Sequence, residues 1–265
     1  SVAAALLMDA AHEVVGVTMK LWGGPSDTGC CAVSDVDDAR RVADRLGIEH
    51  HVFHFGEDVE RNVIEPYVAD HAAGRTPNPC VECNRHLKFD RLVRRADALG
   101  FDMIATGHHA RVVSTPAGPR LRRGVDAAKD QSYVLHVIEE SVLARMLLPV
   151  GELTKAEVRR LAMDLDLRTA QKPESQDVCF ITNEHGRAAF LGQRIPLKPA
   201  AVVDRSGKQV GQVDSVEMVT IGQRRGLGLA GGTDPKYVVD VDVTAEGDRR
   251  VMVGEKADLE APVTE

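Results

Sequence analysis

The stretch Asn78-Pro79-Cys80-Val81-Glu82-Cys83-Asn84 places two thiols two residues apart, behind prolines at positions 77 and 79. Proline fixes its own φ and turns the residue before it away from the helical region, so the backbone arrives extended. Helical spacing returns at once: Phe89, Leu92, Val93, Ala96 and Leu99 share a face, and Gly100 stands where a C-terminal cap would. The spacing predicts a helix over 85–99 with both cysteines on its first turn. Free backbone N–H groups and the positive end of the helix dipole favour thiolate there, the form that attacks electrophiles or binds metal. Two plainer readings stand beside this one. The cysteines are ordinary buried side chains, or they are a redox pair, although the strand that normally precedes such a pair is missing.

The elements around this stretch must position it. A chain of 265 residues buries a substantial core and has room for more than one domain. Its five cysteines do not form the dense pattern of a disulfide framework, and no apolar run is long enough to span a bilayer. A reducing, cytoplasmic setting with no membrane partner is the expectation. The net charge of -7 gives no global sign of nucleic-acid binding, which leaves that role to local charge.

The opening Ser1-Val2-Ala3-Ala4-Ala5-Leu6-Leu7 reads as a helix with no initiator Met and no charged leader, as in a cut chain. Val14 to Val17 is a buried-strand run, closed by a turn at Gly23 to Pro25. A helix capped by Asp35 or Asp37 runs to Leu46, and Ile48 to Phe55 is the next strand. Its His50, His51 and His54 have no thiol or carboxylate partner nearby in sequence, so surface or hydrogen-bonded histidines are preferred to a metal site. A helix from Glu57 to about Ala73 leads to the cysteine stretch. Arg85, Lys88, Arg91 and Arg95 then form a basic stripe, read as a solvated face unless the neighbouring thiols make it a phosphate contact. Phe101 to Thr106 is a third strand ending in Gly107-His108-His109, and strand–helix alternation implies a parallel sheet whose ligands gather at the carboxyl ends of its strands. A second basic patch covers Arg120 to Arg123 and Lys129. Thr154 with Glu157 predicts a capping box for a helix through Leu165. Beyond about Ile195 short β-runs separated by glycines take over, and Thr220 to Gly228 is either an RNA-contacting loop or a plain connection.

Taken in order, the cysteine stretch with Lys88-Phe89, Ala105-Thr106-Gly107-His108, Lys129-Asp130-Gln131-Ser132-Tyr133, Pro149-Val150-Gly151, Cys179-Phe180-Ile181 and Gly222 to Gly228 resemble the landmarks of the tRNA-specific 2-thiouridylases. That resemblance implies an α/β fold, a parallel sheet flanked by helices of the Rossmann-like, adenine nucleotide alpha-hydrolase-like kind. It implies an ATP-pyrophosphatase domain over 1–182, a central β domain over 192–233 and the start of a C-terminal β-barrel over 235–265. It further implies ATP and Mg2+ as cofactors, tRNA as partner, and a cysteine desulfurase or sulfur relay protein as donor. By the same likeness Cys179 carries a persulfide and Cys83 is the nucleophile or resolving thiol. Ser1, Met19 and Gly107 match nucleotide positions. Asn78, Pro79, Cys80, His108, Lys129, Asp130 and Gln131 match positions that meet tRNA.

The sequence departs from the family pattern in three places. The family's Ser-Gly-Gly-Val-Asp-Ser phosphate loop is expected just before Ser1, and the C-terminal barrel is expected to continue beyond Glu265; both read as truncation, and the cut chain as inactive. Cys80 replaces the Asp of many members, so Cys80, Cys83 and Cys179 could hold an iron-sulfur cluster with one open iron, or a zinc ion lacking an evident fourth ligand. Cys30 and Cys31 are treated as structural. Two other readings stay open: an amide-forming ATP-pyrophosphatase, which has no use for Cys83 and Cys179, and a non-catalytic, metal-stabilised RNA-binding protein.

Overall fold

The structure, a computed structural model, describes residues 1–21, 33–172, 178–181, 186–231, 234–243 and 249–259. Cys30, Cys31 and the Gly23 to Pro25 turn lie outside the described residues. In chain order the elements are α1 (Val2–Asp9), β1 (Gly16–Lys20), α2 (Val33–Leu46), β2 (His50–His54), α3 (Gly56–Val59), a π-helical turn (Glu60–Ile64) and α4 (Glu65–Ala72). Next come α5 (Pro79–Glu82), a π-helical run (Cys83–Arg91), α6 (Leu92–Ala98), β3 (Ile104–Ala105), β4 (Ala110–Thr115), β5 (Gly118–Arg123), α7 (Glu140–Leu143) and β6 (Met146–Leu147). The series ends with α8 (Lys155–Asp164), α9 (Gly186–Gly192), β7 (Ala200–Val203), β8 (Gln209–Val213), β9 (Tyr237–Asp242) and β10 (Arg250–Gly254). They fall into two compact units, residues 1–63 with 79–182, and residues 64–78 with 183–265.

In the first unit β1 pairs in parallel with β2, from Gly16 opposite His50 to Lys20 opposite His54. β3 pairs in parallel with β6. Parallel partners need a crossover, and α2 supplies it between β1 and β2, ending at Gly47 with φ +70°, where a glycine pays no Cβ penalty. Phe89, Val93 and Ala96 pack with Ile104, Leu135 and Met146 in one core, so the face that carries the helical spacing after Cys83 is the face that anchors it. The capping box of α8 is present: Thr154 N donates to Glu157 Oε2 at 2.7 Å and Glu157 N to Thr154 Oγ1 at 3.3 Å. The sequence reading contains no strand over 110–123, where the structure has two. Arg120 to Arg123 belong to β5, which forms an antiparallel hairpin with β4. Its apolar alternation is hidden because arginine occupies three of its last four positions.

Gly151, in the Pro149-Val150-Gly151 landmark, sits against β4. A Cβ there would stand 1.8 Å from the carbonyl oxygen of Ala110. Gly151→Ala is therefore expected to lower stability by about 3 kcal/mol, read as a lower midpoint in thermal unfolding. An unchanged midpoint would refute the close approach.

The second unit is built on one four-stranded sheet, ordered β8-β7-β10-β9, with β7 and β10 parallel and the other pairs antiparallel. Val202, Val216, Val238 and Val251 fill its core and are fully buried. Strands on both sides of the expected 233/235 boundary thus share one sheet and one core, and periodicity alone does not reveal pairing between strands so distant in sequence. Residues 64–78 also group with this unit, not with the segment that precedes them. There His71 of α4 is buried and its Nδ1 lies 2.9 Å from the carbonyl oxygen of Glu217. The Gly222 to Gly228 segment is anchored at both ends, Gly222 N donating to Val238 O and a Cβ on Gly228 standing 2.5 Å from Gln212 O, while Arg224 and Arg225 between them are exposed.

Candidate active site

A cleft of about 720 Å³ opens in the first unit between β1 and β3. Gly16 to Met19 line one side, Ile104 and Ala105 the other, and Thr106, Gly107 and His108 follow at the carboxyl end of β3. This is where open parallel sheets bind ligands. Ser1, Met19, Gly107, His108 and Gln131, singled out from the sequence, all line it. Cys80, Cys83, Cys179, Pro79, Lys129 and Asp130 do not. Lys88, one turn beyond Cys83 on the π-helical run, joins the two groups: it lines the cleft and its charge acts on both Cys80 and His108.

The cysteines stand on the first turns of the continuous helical run 79–98, with Pro79 at its first position, as the spacing predicts. None of the three described cysteines is in a disulfide; Cys80 is exposed, and Cys83 and Cys179 are half-buried. The expected lowering of the thiol pKa fails at Cys80. Desolvation by the surrounding protein pushes its pKa up despite its exposed surface, and the Lys88 ammonium acts in the opposite direction. Asn84, which follows Cys83 in sequence, is buried, and its Nδ2 donates to Cys80 O at 2.9 Å. That bond fixes the orientation of the amide, so the buried Oδ1 is left without a partner, at a cost of about 1–3 kcal/mol.

Among the described residues no three His, Cys, Asp or Glu side chains converge on a point that could hold a metal. The cluster expected of Cys80, Cys83 and Cys179 therefore finds no support in their geometry. His50 is instead bonded through Nε2 to Thr18 Oγ1 at 2.8 Å, in keeping with the non-metal reading of the histidines. The basic stripe is likewise less open than its spacing implies. Arg91 pairs with Asp58 at 2.9 Å, Arg85 with Glu82 at 3.4 Å, and the Arg95 guanidinium lies 4.9 Å from the centre of the Phe53 ring. Charge reversal at Arg91 and Arg95 would break internal contacts as well as any phosphate contact. On the β4–β5 hairpin, exposed Arg122 has no ion-pair partner among the described residues.

His108 is buried beside Phe89, with Nδ1 2.8 Å from Thr106 Oγ1. Desolvation first, then the charges of Lys88 and His109, lower its pKa to about 3, so it is a neutral imidazole at neutral pH. Unfolding restores the ordinary value of 6.5, and the unfolded chain then binds the extra proton between those two values. Stability is thus whole above about pH 6.5 and falls as pH drops toward 3, by up to about 1.4 kcal/mol per unit. His108→Gln is expected to flatten that slope in acid-unfolding curves; an unaltered slope would contradict a buried neutral His108.

Against this geometry, the sequence profile described as "tRNA methyl transferase HUP domain" matches residues 1–183, and "tRNA methyl transferase PRC-barrel domain" matches 188–255. Curated proteins named tRNA-specific 2-thiouridylase MnmA are similar throughout. The one from Carboxydothermus hydrogenoformans is 47% identical over 272 residues, covering 99% of this chain and 73% of the relative. The one from Mycolicibacterium smegmatis is 47% identical over 268 residues, and the one from Moorella thermoacetica 46% over 271. The chain belongs to the tRNA-specific 2-thiouridylase family. Its first unit carries the family's Rossmann-like α/β fold, and a small β domain follows.

For a 2-thiouridylase chain, the geometry sorts the residues proposed to meet tRNA. Gln131 Oε1 accepts from His109 N and Gln131 N donates to His109 O, both at 2.9 Å. Asp130 Oδ1 accepts from Gly124 N at 2.9 Å and Oδ2 from Ser132 Oγ at 2.8 Å. The Asp130 side chain closes the 124–132 loop on itself, and that of Gln131 ties the loop to the backbone of His109, next to His108. Lys88 and Lys172 line the cleft but were not singled out as site residues. Lys88 was legible, since it stands in the landmark Lys88-Phe89. Lys172 lay in a segment without periodicity, and no sequence signal marked it.

Proposed function

We propose that the protein is a tRNA 2-thiouridylase, a sulfurtransferase that uses ATP and Mg2+ to convert a uridine of tRNA to 2-thiouridine. The observation that carries the reading is Lys88, which couples a nucleotide-sized cleft at the carboxyl ends of parallel strands to a helix bearing Cys80 and Cys83. The oxygen at C2 of uracil is a poor leaving group. It attacks the α-phosphorus of ATP, pyrophosphate departs, and the oxygen becomes part of an adenylate ester. The terminal sulfur of a persulfide on Cys179, supplied by a sulfur donor protein, attacks C2, and the C2–O bond breaks to release AMP. The Cys83 thiolate then attacks the Cys179 sulfur. The S–S bond to the transferred sulfur breaks, 2-thiouridine leaves, and a Cys83–Cys179 disulfide remains for an external thiol to reduce.

Ser1, Met19 and Gly107 flank the nucleotide in this scheme. Neutral His108 offers the target base a hydrogen bond without adding charge, and Asn78 to Cys80 and Lys129 lie on the tRNA side. The descriptions of the two matching profiles speak of methyl transfer, whereas the curated relatives are named for thiolation. Methyl transfer leaves ATP intact. The deciding experiment incubates the full-length protein with tRNA, ATP and Mg2+ and measures nucleotides: AMP and pyrophosphate formed only in the presence of tRNA support thiolation, and intact ATP overturns it.

A further inference from the structure

The turn from Thr220 to Gly228 in the second unit is held more tightly than a plain connection requires. Gln223 N donates to Thr220 O at 3.0 Å, and Thr220 N donates to Gln223 Oε1 at 3.1 Å. The other end of the same amide, Nε2, donates to Arg225 O at 2.8 Å, so one side chain braces the turn from within. Gly222 N donates to Val238 O at 2.7 Å and Val238 N to Gln223 O at 2.9 Å, which stitches the turn to β9. Gly222 and Gly226, on either side of the arginines, have φ +83° and +72°, a conformation that residues with a Cβ rarely adopt. Leu227 is buried in the core of the four-stranded sheet.

Arg224 and Arg225 stand out from this frame. Both are exposed, and neither guanidinium has an ion-pair partner among the described residues. Other cations of the same unit are neutralised internally: Arg205 pairs with Asp258 at 2.9 Å and Lys236 with Glu255 at 3.9 Å. The frame is also tied to the segment that enters the cysteine stretch. Thr76, two residues before Asn78, donates through Oγ1 to Thr220 Oγ1 at 3.2 Å, and His71 Nδ1 lies 2.9 Å from Glu217 O in the short helical turn just before Thr220.

We propose that this turn is a docking point for tRNA, in which Arg224 and Arg225 bind phosphates of the RNA backbone. The inference rests on the thiouridylase reading and adds to it a contact on the second unit. With a net charge of -7 the chain as a whole repels a polyanion, so attraction must come from places where cations are not neutralised by the protein's own carboxylates. A guanidinium presents paired N–H donors that match two phosphate oxygens at once. Because the backbone beneath the arginines is already fixed, less freedom is lost when they engage. Phosphate contacts carry no base information, so the turn sets affinity and register and leaves discrimination to other residues. RNA is favoured over an acidic protein surface because the turn is bonded to the strand that leads into Asn78, on the tRNA side of the scheme above.

The test titrates the full-length protein with a tRNA transcript over a series of salt concentrations, comparing the wild type with Arg224→Gln/Arg225→Gln and with Arg224→Lys/Arg225→Lys. The glutamine pair is expected to weaken tRNA by about 10-fold or more and to make the slope of log affinity against log salt shallower by about 1 to 2. Thermal unfolding and ATP affinity are expected to stay as in the wild type, since both side chains are exposed and outside the cleft. The lysine pair keeps the charge but not the paired donors, so it retains the salt slope and loses less affinity. Unchanged affinity and slope in the glutamine pair, or equal losses in the two pairs, overturn the assignment and leave the thiouridylase reading standing; an acidic protein partner then becomes the favoured occupant. Failure of the wild type to bind tRNA at any salt concentration removes the thiouridylase reading, and this assignment with it.

Discussion

Replacing Cys83 or Cys179 with alanine is expected to cut formation of 2-thiouridine by about 10⁴-fold or more while tRNA-dependent release of pyrophosphate continues. The uncoupling follows from the order of bonds. Adenylation consumes ATP at the uracil oxygen and involves no thiol, whereas displacement of AMP by sulfur needs the persulfide and its release needs the second thiolate. Both cysteines are half-buried thiols outside any disulfide, so truncation to alanine removes a reactive group without opening a large cavity. Because the two act in one sequence of steps, the double variant is expected to be no worse than either single one. Unchanged turnover in both single variants would point instead to an ATP-pyrophosphatase with an amine acceptor.

Lys88→Met is the second large effect. Its ammonium lines the cleft and lowers the pKa of both Cys80 and His108. A preorganised cation in a partly enclosed site contributes about 10²–10³-fold when charge develops beside it, and a loss of that size in turnover is expected. The sign at Cys80 can be followed separately. Removing a positive charge leaves desolvation unopposed, so the thiol pKa rises further and alkylation of Cys80 at mildly alkaline pH slows. Methionine keeps the length of the side chain, and unaltered thermal unfolding would separate lost charge from lost packing. If Lys88→Met leaves both turnover and alkylation unchanged, the cysteine helix and the cleft are not coupled through this residue.

Local chemistry was legible where one residue type dictates a conformation. Pro79 at the helix start, Gly47 and Gly100 at positive φ after helices, and Thr154 with Glu157 as a capping box all stand where their side chains require. Strand–helix alternation gave the parallel pairing, and strand ends gave Gly107 and His108. What escaped depends on partners distant in sequence. The pairing of β7 with β10 joined two expected domains into one sheet. The ion pairs of Arg85 and Arg91 turned much of a basic stripe into internal contacts. Burial reversed the expected shift at Cys80, because position on a helix says nothing of the bulk that surrounds the sulfur. Lys172 was invisible for the same reason: its partners Asp35 and Asp38 stand far from it in sequence.

The most direct test of the central claim is nucleoside analysis by mass spectrometry of tRNA incubated with the full-length protein, ATP, Mg2+ and a persulfide donor. The account predicts 2-thiouridine in amounts equal to the AMP formed, and none without ATP. AMP without 2-thiouridine, or a methylated uridine in its place, would contradict it.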